Sequence, residues 1–171
     1  MKVGTDGCLL GGWFDCTHSR RILDIGTGSG LIAIMAAQRC NAHVTGIEID
    51  SNAAAQAKKN ADNCPWCERI EIINTDILKY QAGEPFDTIV SNPPYFVNSL
   101  KCGTASRTLA RHSDTLDCSS FFRKAGELLT KEGKISIVIP TDLLEEWKDA
   151  AALCGFCPSR VTYIKTTPRK A

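Results

Sequence analysis

Short apolar segments alternate with amphipathic ones along almost the whole chain, and this alternation restricts the possible fold more than any other feature. The apolar segments predict six strands, at residues 21–25, 43–49, 69–74, 86–91, 133–139 and 159–165. Helices are predicted at residues 31–39, 51–63 and 119–129, and another after Thr141, with Ser51 and Thr141 as caps. Strands that are apolar along their whole length need cover on both faces, as in parallel sheets. The sequence therefore predicts an α/β fold with a doubly wound, mostly parallel sheet and helices on both faces.

The bulk composition is that of an ordinary globular domain. Of the 171 residues, 43% are hydrophobic and 23% are charged, which suffices for one buried core. The formal net charge of +1 gives no general attraction to nucleic acid, so any RNA contact has to come from a local basic patch. The sequence has no apolar segment near the ~18 residues that cross a bilayer, and it opens without a secretory signal. We therefore expect a cytoplasmic protein without membrane contact.

Cysteine is frequent, with nine residues, and two pairs have C-x-x-C spacing. Cys64 and Cys67 form the first pair, and Cys154 and Cys157 the second. The pairs lie far apart in sequence, unlike the ligands of a zinc ribbon. The first pair follows a predicted helix, whereas a thioredoxin-type redox motif follows a strand. We favour reduced thiols and no metal site, and a metal or redox role is the alternative.

A glycine-rich turn follows the first predicted strand. Residues 24–30 read D-I-G-T-G-S-G, and their glycines allow the backbone to approach a ligand closely. A dinucleotide site needs G-x-G-x-x-G instead, and Asp24 would repel a pyrophosphate but suits an ammonium and a sulfonium. Glu48, at the end of the second strand, can accept both hydroxyls of a ribose, and Asp76 can accept the amino group of an adenine. S-Adenosylmethionine is the ligand that fits all three; unliganded acidic loops are the alternative.

A second loop, Asn92-Pro93-Pro94-Tyr95, follows the fourth predicted strand. The Asn92 side-chain oxygen and the Pro93 carbonyl can each accept one hydrogen of a substrate amine, which directs the nitrogen lone pair at a methyl donor. Tyr95 offers a ring on which a planar group can stack. By itself the tetrapeptide could be an ordinary turn. After the glycine-rich turn it predicts methyl transfer to a nitrogen.

Together, D-I-G-T-G-S-G and N-P-P-Y resemble the signature of class I S-adenosylmethionine-dependent methyltransferases, which have a Rossmann-like fold and act on exocyclic or amide nitrogens. The opening residues 1–13, M-K-V-G-T-D-G-C-L-L-G-G-W, are similar to a block typical of the bacterial tRNA1(Val) (adenine(37)-N6)-methyltransferase family. The N-P-P-Y-F loop and Arg107-x-x-x-Arg111-His112 also resemble that family, as does the Pro65-Trp66 turn with the Glu68-Arg69-Ile70 that follows. The similarity extends along almost the whole chain.

The resemblance implies methyl transfer to N6 of an adenine in tRNA, at anticodon-loop position 37 of tRNA-Val. It implies a cofactor site that also includes residues near the donor's amino-acid end and beside the third strand. The predicted cofactor contacts are Thr5, Asp6, Asp24, Gly26, Thr27, Gly28, Gly30, Glu48, Asp76, Ile77 and Asn92. The predicted catalytic residues are Asn92, Pro93 and Tyr95. The predicted substrate contacts are Pro94, Tyr95, Phe96, Arg107 and Arg111.

Members of that family usually begin before the M-K-V-G-T-D-G block and end in a strand inserted antiparallel in the sheet. We therefore expect residues 1–171 to form a single methyltransferase domain, shortened at both ends and lacking the last strand. We also expect a monomer.

The substrate class has several candidates. An unpaired adenine of a tRNA loop suits a stacking pocket, and basic residues after the substrate loop could contact phosphates. These are Lys101, Arg107, Arg111, Arg123 and Lys124. The principal alternative is a glutamine N5-methyltransferase that acts on a release factor, because an amide presents the same two hydrogens. DNA adenine and rRNA guanine are weaker alternatives. A different kind of interpretation is that the chain is a non-catalytic fragment that binds S-adenosylmethionine.

Overall fold

The computed structural model of the protein describes residues 4–93 and 116–165. The helices are α1 (Thr5–Trp13), α2 (Leu31–Arg39), α3 (Ser51–Asp62), α4 (Cys118–Leu128) and α5 (Leu144–Leu153). The strands are β1 (Arg21–Ile25), β2 (His43–Glu48), β3 (Ile70–Asn74), β4 (Phe86–Ser91) and β5 (Leu129–Ile137). None of the helices in these described ranges combines the length and the apolarity needed to cross a membrane.

The five strands form one parallel sheet in the order β3-β2-β1-β4-β5. The order reverses between β1 and β4, since the chain winds outward from β1 to one edge and then returns to build the other. In such sheets, ligands bind beyond the carboxyl ends of the strands at this reversal point. The predicted fold class is confirmed.

Apolar side chains cover both faces of the sheet, as the predicted strands require. On one face Leu23, Ile25 and Ile89 pack against α4 and α5, where Phe121 lies 5.5 Å from the Trp147 ring centroid. On the other face a second cluster joins the sheet to α1 and α2. Its sheet residues are Ile22, Val44 and Val90. Alternate residues of β1 therefore belong to different cores, which fixes the strand's register.

Two predicted caps are wrong. The helix α3 is capped by Asp50, whose side chain accepts a hydrogen bond from the Ala53 backbone N–H at 2.7 Å, and Ser51 is already its first residue. Thr141 begins a 3-10 turn, Thr141–Leu143, and α5 starts only at Leu144. Asp is as good a cap as Ser, so the pattern located each helix but not its first residue.

Strand β5 begins earlier than predicted because it contains an irregular stretch. Its pairing with β4 shifts between Phe86, opposite Leu129, and Thr88, opposite Lys134. Gly133 lies inside this irregular stretch, where a Cβ would come 2.5 Å from the Leu129 Cγ. A bulge of this kind interrupts the alternation of apolar and polar residues, which hides the first half of the strand from a sequence pattern.

The predicted sixth strand, at residues 159–165, is wrong. This segment pairs with none of the strands in the part of the chain that the structure describes, and it packs against the end of α1. The Arg160 guanidinium lies 3.8 Å from the Trp13 ring centroid and donates a hydrogen bond to the Trp13 carbonyl at 2.9 Å. The Trp13 indole N–H in turn donates to the Thr162 hydroxyl at 3.1 Å. An extended apolar segment becomes a strand only when a partner accepts its hydrogen bonds.

Candidate active site

The two predicted loops leave the sheet side by side. In the register of the sheet, Ile25 pairs with Ser91 of β4 on one side and with Ile47 of β2 on the other. The glycine-rich turn starts at Gly26, and Asn92 directly follows Ser91. The Ser91 hydroxyl donates to the Ile25 carbonyl at 2.8 Å, which ties the two exit points together. The structure thus brings these loops to one edge of the sheet.

The glycine-rich turn adopts a backbone conformation that requires glycine. Gly26, Gly28 and Gly30 have φ angles of 71°, 59° and 81°, which side chains rarely permit. The backbone N–H groups of Gly26 and Thr27 both donate to the Ile47 carbonyl, at 2.9 and 3.0 Å. The turn is therefore fastened to β2 before α2 begins, and its backbone forms the floor of the site.

Asp24 is hydrogen-bonded to the glycine-rich turn. It has no exposed surface, and its Oδ2 accepts a hydrogen bond from the Thr27 hydroxyl at 2.6 Å. Burial, with a smaller contribution from the charge of Glu48, raises the pKa of this carboxyl to about 7, although the hydrogen bond from Thr27 lowers it. Its Oδ1 has no hydrogen-bond partner within the described residues. Direct contact with a ligand ammonium stays a prediction, and the structure gives Asp24 the separate task of fixing Thr27.

Glu48 joins the turn to the end of β2. Its Oε2 accepts from the Gly28 backbone N–H at 2.9 Å, and its Oε1 accepts from the Asp50 N–H at 3.0 Å. A carboxylate has about four lone-pair sites, so capacity for two hydroxyl donors remains. The side chain is nearly buried, and its position between β2 and the turn fits the predicted contact with a ribose.

Asp76 and Ile77 lie beyond the end of β3. Asp76 caps a 3-10 turn, Ile77–Lys79, by accepting from the Leu78 N–H at 2.9 Å. The Ile77 side chain is buried in the core beside α4, which leaves its backbone for any contact with a cofactor. The backbone N–H of Thr75 donates to the Glu48 carbonyl at 3.0 Å. Asp76 and Glu48 are thereby held at neighbouring strand ends.

Asn92 lies beside the first turn of α1. A Cβ built on Gly7 would come 3.8 Å from the Asn92 Nδ2. Thr5 and Asp6 are exposed in that same helical turn, and Pro93 is buried. The remaining predicted site residues lie outside the described residues. They are Pro94, Tyr95, Phe96, Arg107 and Arg111, together with Lys101 and His112.

The charges of this edge suit a cationic ligand. Asp24, Glu48 and Asp76 place three carboxyl groups there, and each accepts a hydrogen bond from a backbone N–H or a hydroxyl. Carboxyl groups can also interact with the ammonium, sulfonium, hydroxyl and amino groups of a methyl donor. Within residues 4–93 and 116–165 there is no cluster of three or more possible metal ligands. One predicted phosphate contact is unsupported, because the Lys124 ammonium is buried against Glu127 at 2.9 Å.

Comparisons with known proteins identify the family. The methyltransferase small domain matches residues 4–148. The chain is 48% identical over 170 residues to the tRNA1(Val) (adenine(37)-N6)-methyltransferase of Bacteroides thetaiotaomicron, covering 98% of this chain and 72% of that protein. It is 39% identical over 174 residues to the protein of the same name from Trichodesmium erythraeum, covering 99% and 73%. The chain belongs to the tRNA1(Val) (adenine(37)-N6)-methyltransferase family.

Solved structures agree on the fold of this methyltransferase. A putative O-methyltransferase from Nostoc punctiforme superposes with a TM-score of 0.70 at 20% identity, over 94% of this chain and 52% of that one. The glycopeptide N-methyltransferase MtfA in complex with S-adenosylmethionine gives 0.51 at 17% identity, over 68% and 46%. The predicted resemblance, the enzyme class and S-adenosylmethionine as cofactor are confirmed.

Three residues near the site of this methyltransferase were not predicted from the sequence, because each acts through contacts with residues around it. Ile49 follows Glu48 and keeps 62% of its surface exposed, so an apolar side chain is accessible beyond the end of β2. Gly46 leaves room for Thr27, whose Oγ1 would lie 2.9 Å from an added Cβ. An isolated glycine inside a strand signals such a close approach. The side-chain amide of Asn60 also donates to the Ser29 carbonyl at 2.9 Å, and no sequence pattern indicated this support.

Proposed function

We propose that this methyltransferase transfers a methyl group from S-adenosylmethionine to N6 of an adenine in tRNA, at position 37 of the anticodon loop of tRNA-Val. The observation that carries the proposal is the position of Asn92 beside the glycine-rich turn at the reversal point of the sheet. The names of the relatives support adenine in tRNA over the glutamine of a release factor.

The donor site follows from the carboxylates and the turn. Glu48 holds the ribose hydroxyls with its remaining lone pairs, while its bond to Gly28 keeps the turn in place. Asp76 accepts the adenine amino group, and the exposed Ile49 side chain covers one face of the ring. Thr5 and Asp6, in the first turn of α1, contact the amino-acid end. The turn backbone of residues 26–30 lies along the donor, with Asp24 and Thr27 holding it from beneath.

Asn92 and Pro93 orient the substrate amine. The Asn92 Oδ1 and the Pro93 carbonyl accept one amine hydrogen each, so the nitrogen lone pair points along the line of transfer. The bound donor supplies an activated methyl group on its sulfonium. The N–C bond forms as the S–C bond breaks, the sulfur keeps that electron pair, and the nitrogen then loses one proton to water. Both carbonyl oxygens stabilise the positive charge that develops on the nitrogen, and alignment of the reactants supplies much of the remaining rate enhancement.

The substrate contacts follow from the sequence. Tyr95 stacks on the flipped adenine, with Pro94 and Phe96 beside it, and Arg107 and Arg111 contact phosphates of the loop. We further propose that residues 1–171 belong to one catalytic domain, which acts as a monomer in the cytoplasm, where its tRNA substrate is found.

The proposal is tested with isotope-labelled donor. The protein is incubated with total tRNA in one reaction and with release factor in another, and nucleosides are then analysed by mass spectrometry. N6-methyladenosine in tRNA-Val is the expected product. Labelled release factor would favour the glutamine N5-methyltransferase, and donor binding without transfer to either substrate would favour a non-catalytic protein.

Asn92→Ala provides the residue-level test. This change should abolish multiple-turnover transfer, leave only a residual rate that single-turnover assays detect, and alter donor affinity by less than about tenfold, which corresponds to roughly 1.4 kcal/mol. A much larger loss of affinity would mean that Asn92 chiefly holds the donor. Tyr95→Ala should weaken the use of tRNA by about 1–3 kcal/mol, the contribution of one stacked base, and unchanged kinetics would remove the stacking role.

A further inference from the structure

Helix α1 packs closely against α2 through two glycines. Gly7 and Gly11 lie one helical turn apart and face Leu31 and Met35, which have the same spacing on α2. A Cβ on Gly11 would come 2.6 Å from the Met35 Sδ, while one on Gly7 would come 3.5 Å from the Leu31 Cδ2. Residues four apart share a helix face, so the contact is a continuous seam between the two helices.

Arg39 extends this seam by one more turn of α2 and holds the end of α1. Its guanidinium donates to the Gly11 carbonyl at 2.6 Å and to the Phe14 carbonyl at 2.8 Å, and lies 5.0 Å from the Phe14 ring centroid. Phe14 and Leu10 are buried in the core cluster on this face of the sheet. Helix α1 is therefore fixed in both distance and rotation relative to α2.

The other end of the seam reaches the proposed catalytic amide. Outside α1 and within the described residues, an added Cβ at the Gly7 position would lie within 4 Å of the Leu31 Cδ2 and of the Asn92 Nδ2, the latter at 3.8 Å. The amide nitrogen is thus the Asn92 atom within 4 Å of the Gly7 position, and the Oδ1 lies farther from that position. In the proposed mechanism Oδ1 is the atom that has to accept the substrate hydrogen.

We propose that residue 7 is a positioning residue for methyl transfer, because its small size lets α1 lie against the Asn92 amide and hold the orientation of that amide. This inference rests on the proposed function, in which Asn92 orients the amine. One methyl group fits at residue 7, since both contacts would be ordinary van der Waals distances. A branched side chain does not fit without moving the amide.

Paired substitutions on α1 test the inference. Gly7→Ala should leave kcat near the wild-type value. Gly7→Val should lower kcat by about 100-fold, as expected for displacement of a catalytic group by about 1 Å, while the donor dissociation constant stays close to that of the wild type. Gly12→Ala and Gly12→Val are matched controls, because Gly12 is on the same helix and an added Cβ there would meet no described residue outside the helix within 4 Å. Both controls should retain wild-type kinetics.

A double-mutant cycle separates positioning from general damage. In an Asn92→Ala background, Gly7→Val should hardly change the residual single-turnover rate, because the group that it displaces has been removed. An equal loss in both backgrounds, or a wild-type kcat for Gly7→Val, would overturn the inference. A wild-type protein that binds the donor but methylates no tRNA adenine would instead overturn the proposed function, and the inference with it.

Discussion

The buried carboxyl of Asp24 makes the stability of the protein depend on pH in an unusual direction. Its pKa rises from 3.8 to about 7 in the folded protein because burial disfavours the charge. Between about pH 4 and 7 the folded state therefore binds more protons at this residue than the unfolded state does. Stability from this group is fully present below about pH 4 and is lost as the pH rises through 7.

The size of the effect follows from the pKa difference. A change from 3.8 to about 7 is roughly 3 pH units, and each unit corresponds to about 1.36 kcal/mol. Asp24 should therefore reduce the free energy of unfolding by up to ~4 kcal/mol between pH 4 and pH 8. Asp24→Asn removes the titration, and the Asn side-chain oxygen can still accept the Thr27 hydroxyl.

Urea unfolding of the wild type and of Asp24→Asn, at intervals from pH 4 to pH 9, measures this effect directly. Other titrating groups, such as Asp15 and Asp117 with their lowered pKa values, contribute equally to both proteins and cancel in the difference. The variant should gain stability relative to the wild type as the pH rises to about 7, and the difference should then level off. If the difference in free energy of unfolding between the two proteins stays constant from pH 4 to pH 9, the raised pKa of Asp24 and its explanation by burial are refuted.

Three further outcomes test the donor site. Donor affinity should rise as the pH increases through about 7, because ionised Asp24 attracts the cationic ligand, and calorimetry of Asp24→Asn should show a flatter profile. Glu48→Gln should lower donor affinity by about 10- to 100-fold, or roughly 1–3 kcal/mol. The reason is that an amide cannot accept hydrogen bonds from both the Gly28 and the Asp50 backbone N–H groups. Unchanged binding by calorimetry would contradict this role. Gly46→Ala should destabilise the protein by about 1–3 kcal/mol through its contact with Thr27, and an unchanged melting temperature would show that the turn can move aside.

The centre of the sheet was well predicted from the sequence because its strands β1, β2 and β4 are buried on both faces. Strand β1 and helix α2 have the predicted bounds, and β4 also matches, since continuous apolar segments leave little choice of structure or register. Residues 159–165 also contain residues that favour strands, from Val161 to Ile164, but they form no strand, because strand formation also needs a partner. A one-dimensional pattern measures apolarity and carries no information about the partner.

The site was predictable where a side chain or a glycine-rich turn marks it, and unpredictable where an isolated glycine makes room for a remote residue. Asp24, Glu48 and Asn92 were predicted from their positions at the ends of strands or just after them. Gly7 and Gly46 were not, because each makes room for a residue remote in the sequence. Helix α1 was missed for a related reason: its glycines disfavour an isolated helix, and packing against α2 supplies the stability.

The register of β1 against β4 explains why the two loops can cooperate. Pairing of Ile25 with Ser91 sets Gly26 and Asn92 at the same level beyond the sheet. A slip by one residue would move Asn92 by about 3.3 Å and exchange the faces of β4. Methyl transfer tolerates far less displacement, since about 1 Å can reduce a rate by about 100-fold. Such a slip would also bring the wrong residues of β4 into both cores. The apolar packing that stabilises the sheet therefore also sets the distance between the glycine-rich turn and the proposed catalytic amide of Asn92.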